Sequence, residues 1–132
     1  MPIEITYDSE KKILYGTIIN PASTEDFQAA MENVTGSGDH PPNVSTLWDM
    51  RALDFTLVNR DFLDRLIAIR RQFPARASAK IAFAVADDLG FGMARMFENL
   101  SAGLPHQMMV FKNMAEAEAW LQSPAIDPLS DN

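Results

Sequence analysis

Cysteine is absent from the 132-residue chain, and histidine occurs only twice, at His40 and His106. The first absence excludes a disulfide framework, a thiolate metal site and a cysteine nucleophile. The second removes most zinc arrangements and any histidine-rich proton relay. His40 sits in a Gly/Pro loop and His106 beside Pro105. With no third ligand close in sequence, each reads as a surface residue, and no metal or other cofactor is expected. Basic residues are scarce too, 11 against 18 acidic ones, for a formal net charge of −7. Nucleic acids and anionic membranes select for clustered Lys and Arg, so neither is expected as the main partner. No segment approaches the roughly 18–20 apolar residues of a membrane span. Met1-Pro2-Ile3-Glu4-Ile5 lacks the basic region and apolar stretch of a secretory signal, so the cytoplasm is the expected compartment. No Walker loop or Gly-x-Ser-x-Gly elbow occurs, which leaves nucleophilic catalysis without visible machinery.

What is present is a globular balance, 47% apolar and 22% charged, at a length that suits one domain. Ile3, Ile5 and Tyr7 alternate with Glu4 and Thr6, and a second run spans Ile13 to Ile19 beyond the turn Asp8-Ser9-Glu10-Lys11. That pattern predicts a β-hairpin, stopped by Pro21. Ser23 with Asp26 makes a capping-box variant for a helix over about 24–35, carrying Phe27, Ala30, Met31 and Val34. Gly36 to Pro42 reads as a loop, Val44 to Met50 as a third strand, and Asn59 as the cap of a second helix. Phe62, Leu66, Ile69 and Phe73 form its apolar stripe, with Arg60, Asp61, Asp64, Arg65, Arg70 and Arg71 expected on its outer face. Lys80 to Ala86 is a continuous apolar run, the pattern of a strand buried on both faces. A third helix follows Asp87-Asp88 and closes at Gly103-Leu104-Pro105. Gln107 to Phe111 gives a last strand, and Asn113 with Glu116 caps a short final helix through Leu121.

The element order is thus β-β-α-β-α-β-α-β-α. It implies an α/β domain over residues 1–122, with a five-stranded mixed sheet flanked by about four helices. The tail, residues 123–132, is expected to be frayed.

Two stretches are the best candidates for chemistry. Asp49, Arg51 and Asp54 lie where the third strand ends, and ligands of α/β sheets bind beyond the carboxyl ends of strands. A buried carboxylate there could serve as a general base; alternatively Arg51 simply pairs with Asp49 or Asp54 and orders the loop. The second stretch is Asp87-Asp88-Leu89-Gly90-Phe91-Gly92-Met93-Ala94-Arg95. Gly90-x-Gly92 resembles the start of a dinucleotide fingerprint, but Arg95 stands where a small residue belongs, and two aspartates would repel the phosphate. An N-cap at Asp87 or Asp88 is the favoured reading. Phe91, Met93, Met96 and Phe97, with Met108 and Met109, form a set suited either to core packing or to an adaptable binding surface. Asp49, Arg51, Asp54, Asp88, Phe91, Met93 and Arg95 are therefore the candidate ligand- or partner-binding residues, with no catalytic residue assigned.

Four segments carry a family resemblance: Trp48-Asp49-Met50-Arg51, Lys80-Ile81-Ala82-Phe83-Ala84-Val85, Gly92-Met93-Ala94-Arg95-Met96-Phe97 and Ala117-Glu118-Ala119-Trp120-Leu121. With the element order, they resemble the SpoIIAA-like proteins, small bacterial relatives of the STAS domain whose fold is also likened to the CRAL-TRIO lipid carriers. The resemblance implies a mixed sheet with helices and a binding or regulatory role without turnover. Sporulation members of the wider family are switched by phosphorylation of a serine at the start of the helix after the third strand. This chain has Leu57-Val58-Asn59-Arg60 there, and Thr56 is the nearest hydroxyl, so that switch is not carried over. Three expectations follow: a cytoplasmic, non-enzymatic binding or regulatory module; alternatively a carrier or sensor of a small apolar, lipid-like ligand; less favoured, a small enzyme using Asp49, Arg51 and Asp54. The partner is then a protein or a small apolar molecule, and a homodimer would cover an exposed sheet edge or helix face.

Overall fold

The computed structural model describes residues 3–19, 23–76, 79–101 and 107–123. Pro21, the Gly103-Leu104-Pro105 stop, His106 and the tail from Pro124 onward lie outside the described residues. The hairpin strands are β1 (Ile3–Asp8) and β2 (Ile13–Ile18). Their turn is held by the Asp8 carboxylate, which accepts the backbone N–H groups of Glu10 and Lys11 at 3.0 Å each. Lys12 takes a positive φ of 57° to complete it, a conformation that a short loop forces on an ordinary residue.

The chain continues through α1 (Thr24–Gly36), β3 (Ser45–Asp49), α2 (Arg60–Arg71), β4 (Lys80–Ala84), α3 (Asp88–Leu100), β5 (Gln107–Phe111) and α4 (Met114–Gln122). Single 3-10 turns at Phe55–Leu57 and Pro74–Arg76 stand in the connections around α2; the sequence pattern did not reveal them, because three residues are too few to show a period. All four α-helices are capped by side chains. Ser23 and Asp26 make a full capping box, while Asn59, Asp87 and Asn113 each accept a backbone N–H of the first turn.

The five strands lie in the order β1-β2-β3-β4-β5. β1 pairs with β2 antiparallel, and every later pair is parallel. Period-two alternation divides the sheet's side chains between two layers. Ile18, Trp48, Ile81, Phe83 and Val110 face α1, α2 and α3 in the main core. Ile13, Leu47, Ala82 and Ala84 face α4, where Ala117 and Leu121 meet them. Ala82, Ala84 and Ala117 are all fully buried; with only methyl groups between them, α4 lies close against the sheet. The β4 run is therefore buried on both faces, as its unbroken apolar character requires.

The parallel strands run in sequence order with no reversal. This matters for function. The crevice that ligands use in doubly wound sheets opens where strand order reverses, and no such reversal stands beside Asp49.

Candidate functional site

The expected cluster at the end of β3 resolves into two separate structural devices. Arg51 donates Nε–H to Asp49 Oδ1 and an Nη2 hydrogen to Oδ2, both at 2.9 Å. The paired guanidinium holds the Asp49 carboxyl below the usual carboxylate range, the opposite of what a general base at neutral pH needs. Asp54 is exposed and caps the 3-10 turn, accepting the Thr56 N–H at 3.0 Å and the Thr56 hydroxyl at 2.6 Å. These two hydrogen bonds also lower its pKa. The pairing of Arg51 with Asp49 is the loop-ordering arrangement.

The acid stability of the fold should reflect this pair. A carboxyl whose pKa is depressed by folding stabilises the native state above its unfolded value and loses that contribution as pH falls through the folded one. Asp49→Asn is accordingly expected to cost about 0.5–1 kcal/mol at pH 7 and almost nothing at pH 2. Urea midpoints of both proteins at the two pH values check this.

The α3 candidates are likewise dispersed. Asp87, not Asp88, is the cap, accepting the Gly90 N–H at 2.9 Å. Asp88 is exposed and pairs with Lys112, whose ammonium also lies 5.4 Å from the Phe91 ring centre. Arg95 pairs with Glu98 one turn along. A Cβ on Gly90 would sit 3.0 Å from the Phe55 ring and 3.1 Å from Val85 Cβ, so this glycine allows the helix to approach the sheet. Gly92 faces open space. No phosphate-binding loop results.

Only Met93 of the seven expected residues enters the feature that dominates the helix-covered face. A cavity of about 70 Å³ lies between the sheet and helices α1, α2 and α3. Ile18, Trp48 and Phe83 form its floor, and Phe27 and Met31 of α1 one wall. Leu63, Leu66, Ile69 and Arg70 of α2 form a second wall, and Met93, Ala94 and Phe97 of α3 a third. Met50, Leu53, Phe55 and Val58 close it from the β3–α2 connection. Met50 and Leu53, between the two aspartates, thus line the cavity, while the carboxylates themselves turn to other work. Phe27, Leu53, Val58, Leu66 and Met93 of this lining are only partly buried.

Arg70 is the one charged side chain among the described residues that line it. Expected on the outer face of α2, it instead continues the inner stripe, three residues beyond Ile67 and seven beyond Leu63. Its Nε is sealed from solvent and has no hydrogen-bond partner among the described residues. Burial, and secondarily the nearby charge of Arg76, push the guanidinium down to about 10, still cationic at neutral pH. Arg76 is more deeply buried and better provided for, although its Nε too is sealed without a partner among the described residues. It donates from Nη1 to Val44 O at 2.8 Å and Pro42 O at 3.1 Å, and from Nη2 to Thr46 Oγ1 at 2.8 Å. Neither arginine was singled out as functional from sequence; the readable signal was a cation at the i+7 position of an apolar helical stripe.

Among the described residues no cluster of three His, Asp or Glu side chains could hold a metal ion, and no helix is long and apolar enough to cross a membrane. Neither a family model nor a curated protein matches the chain. Its fold is similar to the crystal structure of an uncharacterized protein of the DUF3478 family from Shewanella loihica PV-4, described as having a SpoIIAA-like fold. The match has a TM-score of 0.61 and covers 90% of this chain and 91% of that one, at 15% sequence identity. Likeness at that identity speaks to architecture alone: the chain has a SpoIIAA-like fold, with a mixed five-stranded sheet and four helices.

Proposed function

We propose that the protein is a non-enzymatic binding module whose ligand is a small apolar molecule held in the cavity between the sheet and α1–α3. The observation that carries this reading is the cavity itself. Its lining is drawn from every element of the helix-covered layer, and three of its residues are methionines, Met31, Met50 and Met93. Unbranched thioether side chains repack around differently shaped guests at little cost. The reading against turnover rests on the candidate acids, since Asp49 and Asp54 are both committed to neighbouring donors.

An engineered cavity of about 150 Å³ takes benzene, so one near 70 Å³ admits a short aliphatic chain such as pentan-1-ol only as the methionines that line it repack. Thermal unfolding with and without pentan-1-ol tests this. Alcohol at 100 times its Kd is expected to stabilise the native protein by about 2.7 kcal/mol. Ala94→Leu, which grows into the cavity, is expected to raise the melting temperature by itself and to abolish the response to alcohol. An equal response in both proteins, or none in either, would overturn the assignment.

Leu89 and Met96 favour a second reading, in which a protein or a second copy of the chain docks on α3. They are 48% and 41% exposed and stand two turns apart on one side of the helix. A dimer mass by light scattering, reduced to a monomer mass in Leu89→Glu, would support it; a monomer mass at high concentration rejects the homodimer. In either reading the module regulates or carries, and the cytoplasm is the compartment proposed for it.

A further inference from the structure

The cavity's single charged residue narrows the class of its guest, provided the cavity is the ligand site argued above. A cation near the carboxyl end of a helix is ordinary, since the helix dipole favours it there. Arg70 Nε is shut away from water with no acceptor among the described residues, as is Arg76 Nε, but of the two only Arg70 lines the cavity. None of the ion pairs formed by the described residues includes Arg70. A second cation, Arg76, is its electrostatic neighbour, with Nη groups already occupied by the Pro42 and Val44 carbonyls and the Thr46 hydroxyl. Arg70 is half-buried and Arg76 buried, in a protein whose formal net charge is −7.

A donor atom of an ionised group that is sealed from water without a partner is expensive, and buried polar atoms in native proteins almost always have a partner. The acceptor that the sealed Arg70 Nε lacks can be supplied from the cavity, which Arg70 lines, and an anionic one suits its cation best. The rest of the lining is apolar, with no further cation or cluster of hydroxyls to meet a dianion. A single flat guanidinium matches one carboxylate, which it can bind through two parallel N–H···O bonds.

We propose that the cavity binds a small aliphatic carboxylic acid as its anion, with the hydrocarbon chain among Met31, Trp48, Phe83 and Met93 and the carboxylate on Arg70. Arg70 is then a binding and specificity residue that separates acids from alcohols and hydrocarbons of the same length.

The test compares pentanoate with pentan-1-ol at pH 7, by chemical-shift titration of the full-length protein. An ionic hydrogen bond in a site shielded from water is expected to favour the acid by about tenfold to a hundredfold. Arg70→Gln should lose that preference while keeping its affinity for the alcohol, a split that a merely structural role would not produce. Equal affinity of the wild-type protein for acid and alcohol would overturn the carboxylate assignment and leave the apolar site standing. So would undiminished binding of pentanoate by Arg70→Gln. Failure of both compounds to bind the wild-type protein would overturn the apolar site as well. The wild-type comparison decides the matter even if the variant does not fold.

Discussion

Replacing Arg76 and the half-buried Arg70 one at a time with methionine is expected to change stability in opposite directions. Arg76→Met should cost about 2–4 kcal/mol, because each buried acceptor left without its donor costs about 1–3 kcal/mol. The Pro42 carbonyl and the Thr46 hydroxyl lose their guanidinium, although the Val44 carbonyl keeps the Thr46 hydroxyl as a donor at 3.0 Å. Removal of the buried charge offsets only part of that loss. Arg70→Met removes a guanidinium whose Nε has no partner and places a flexible apolar chain against an apolar cavity. It should raise the stability of the ligand-free protein by about 1–2 kcal/mol. Urea unfolding at pH 7 reads both. Loss of stability in both variants would mean that Arg70, like Arg76, is a structural residue with its interactions satisfied.

Gly16→Ala carries the second large effect. Gly16 lies directly beside Trp48 in the parallel register of β2 and β3, and a Cβ there would come within 2.4 Å of Trp48 Cε3 and Cζ3. The indole is 4% exposed and already packs on Phe27, ring centres 6.4 Å apart. It has no free direction in which to retreat except into the cavity it floors. The cost is expected near the upper end of the overpacking range, about 3 kcal/mol. In a Trp48→Leu background, where the ring is gone, the same alanine should cost much less. A cost below about 0.5 kcal/mol in the wild-type background would mean that the Trp48 ring is not seated across Gly16.

The contrast between these residues shows what was readable in the chain. Caps announce themselves because Ser23, Asn59, Asp87 and Asn113 act on N–H groups three positions away. The strand alternation of β1 and the unbroken run of β4 are equally local, so the sheet and its four helices could be laid out in order before any coordinate was known. The cavity could not. Its walls come from three strands, three helices and one connection, and nothing in any one of those segments distinguishes a residue that touches a neighbour from one that stops short of it. Asp49 and Asp54 drew attention as paired acids after a strand, yet the strand order offers no reversal to open a crevice there. Arg70 was obscured by its company, since Arg60, Asp61, Asp64, Arg65 and Arg71 are exposed and only the helical phase sets Arg70 apart.

The central claim, that the space between the sheet and α1–α3 is a ligand site, is tested most directly by methyl NMR of the methionines during a pentan-1-ol titration. Met31, Met50 and Met93 line the cavity, whereas Met96 and Met109 are exposed and Met114 packs on the opposite face of the sheet. Saturable shifts at the first three, with the other three unmoved, are the predicted result. Shifts at Met96 and Met109 alone, or no saturable shift at any cavity methionine, would contradict it.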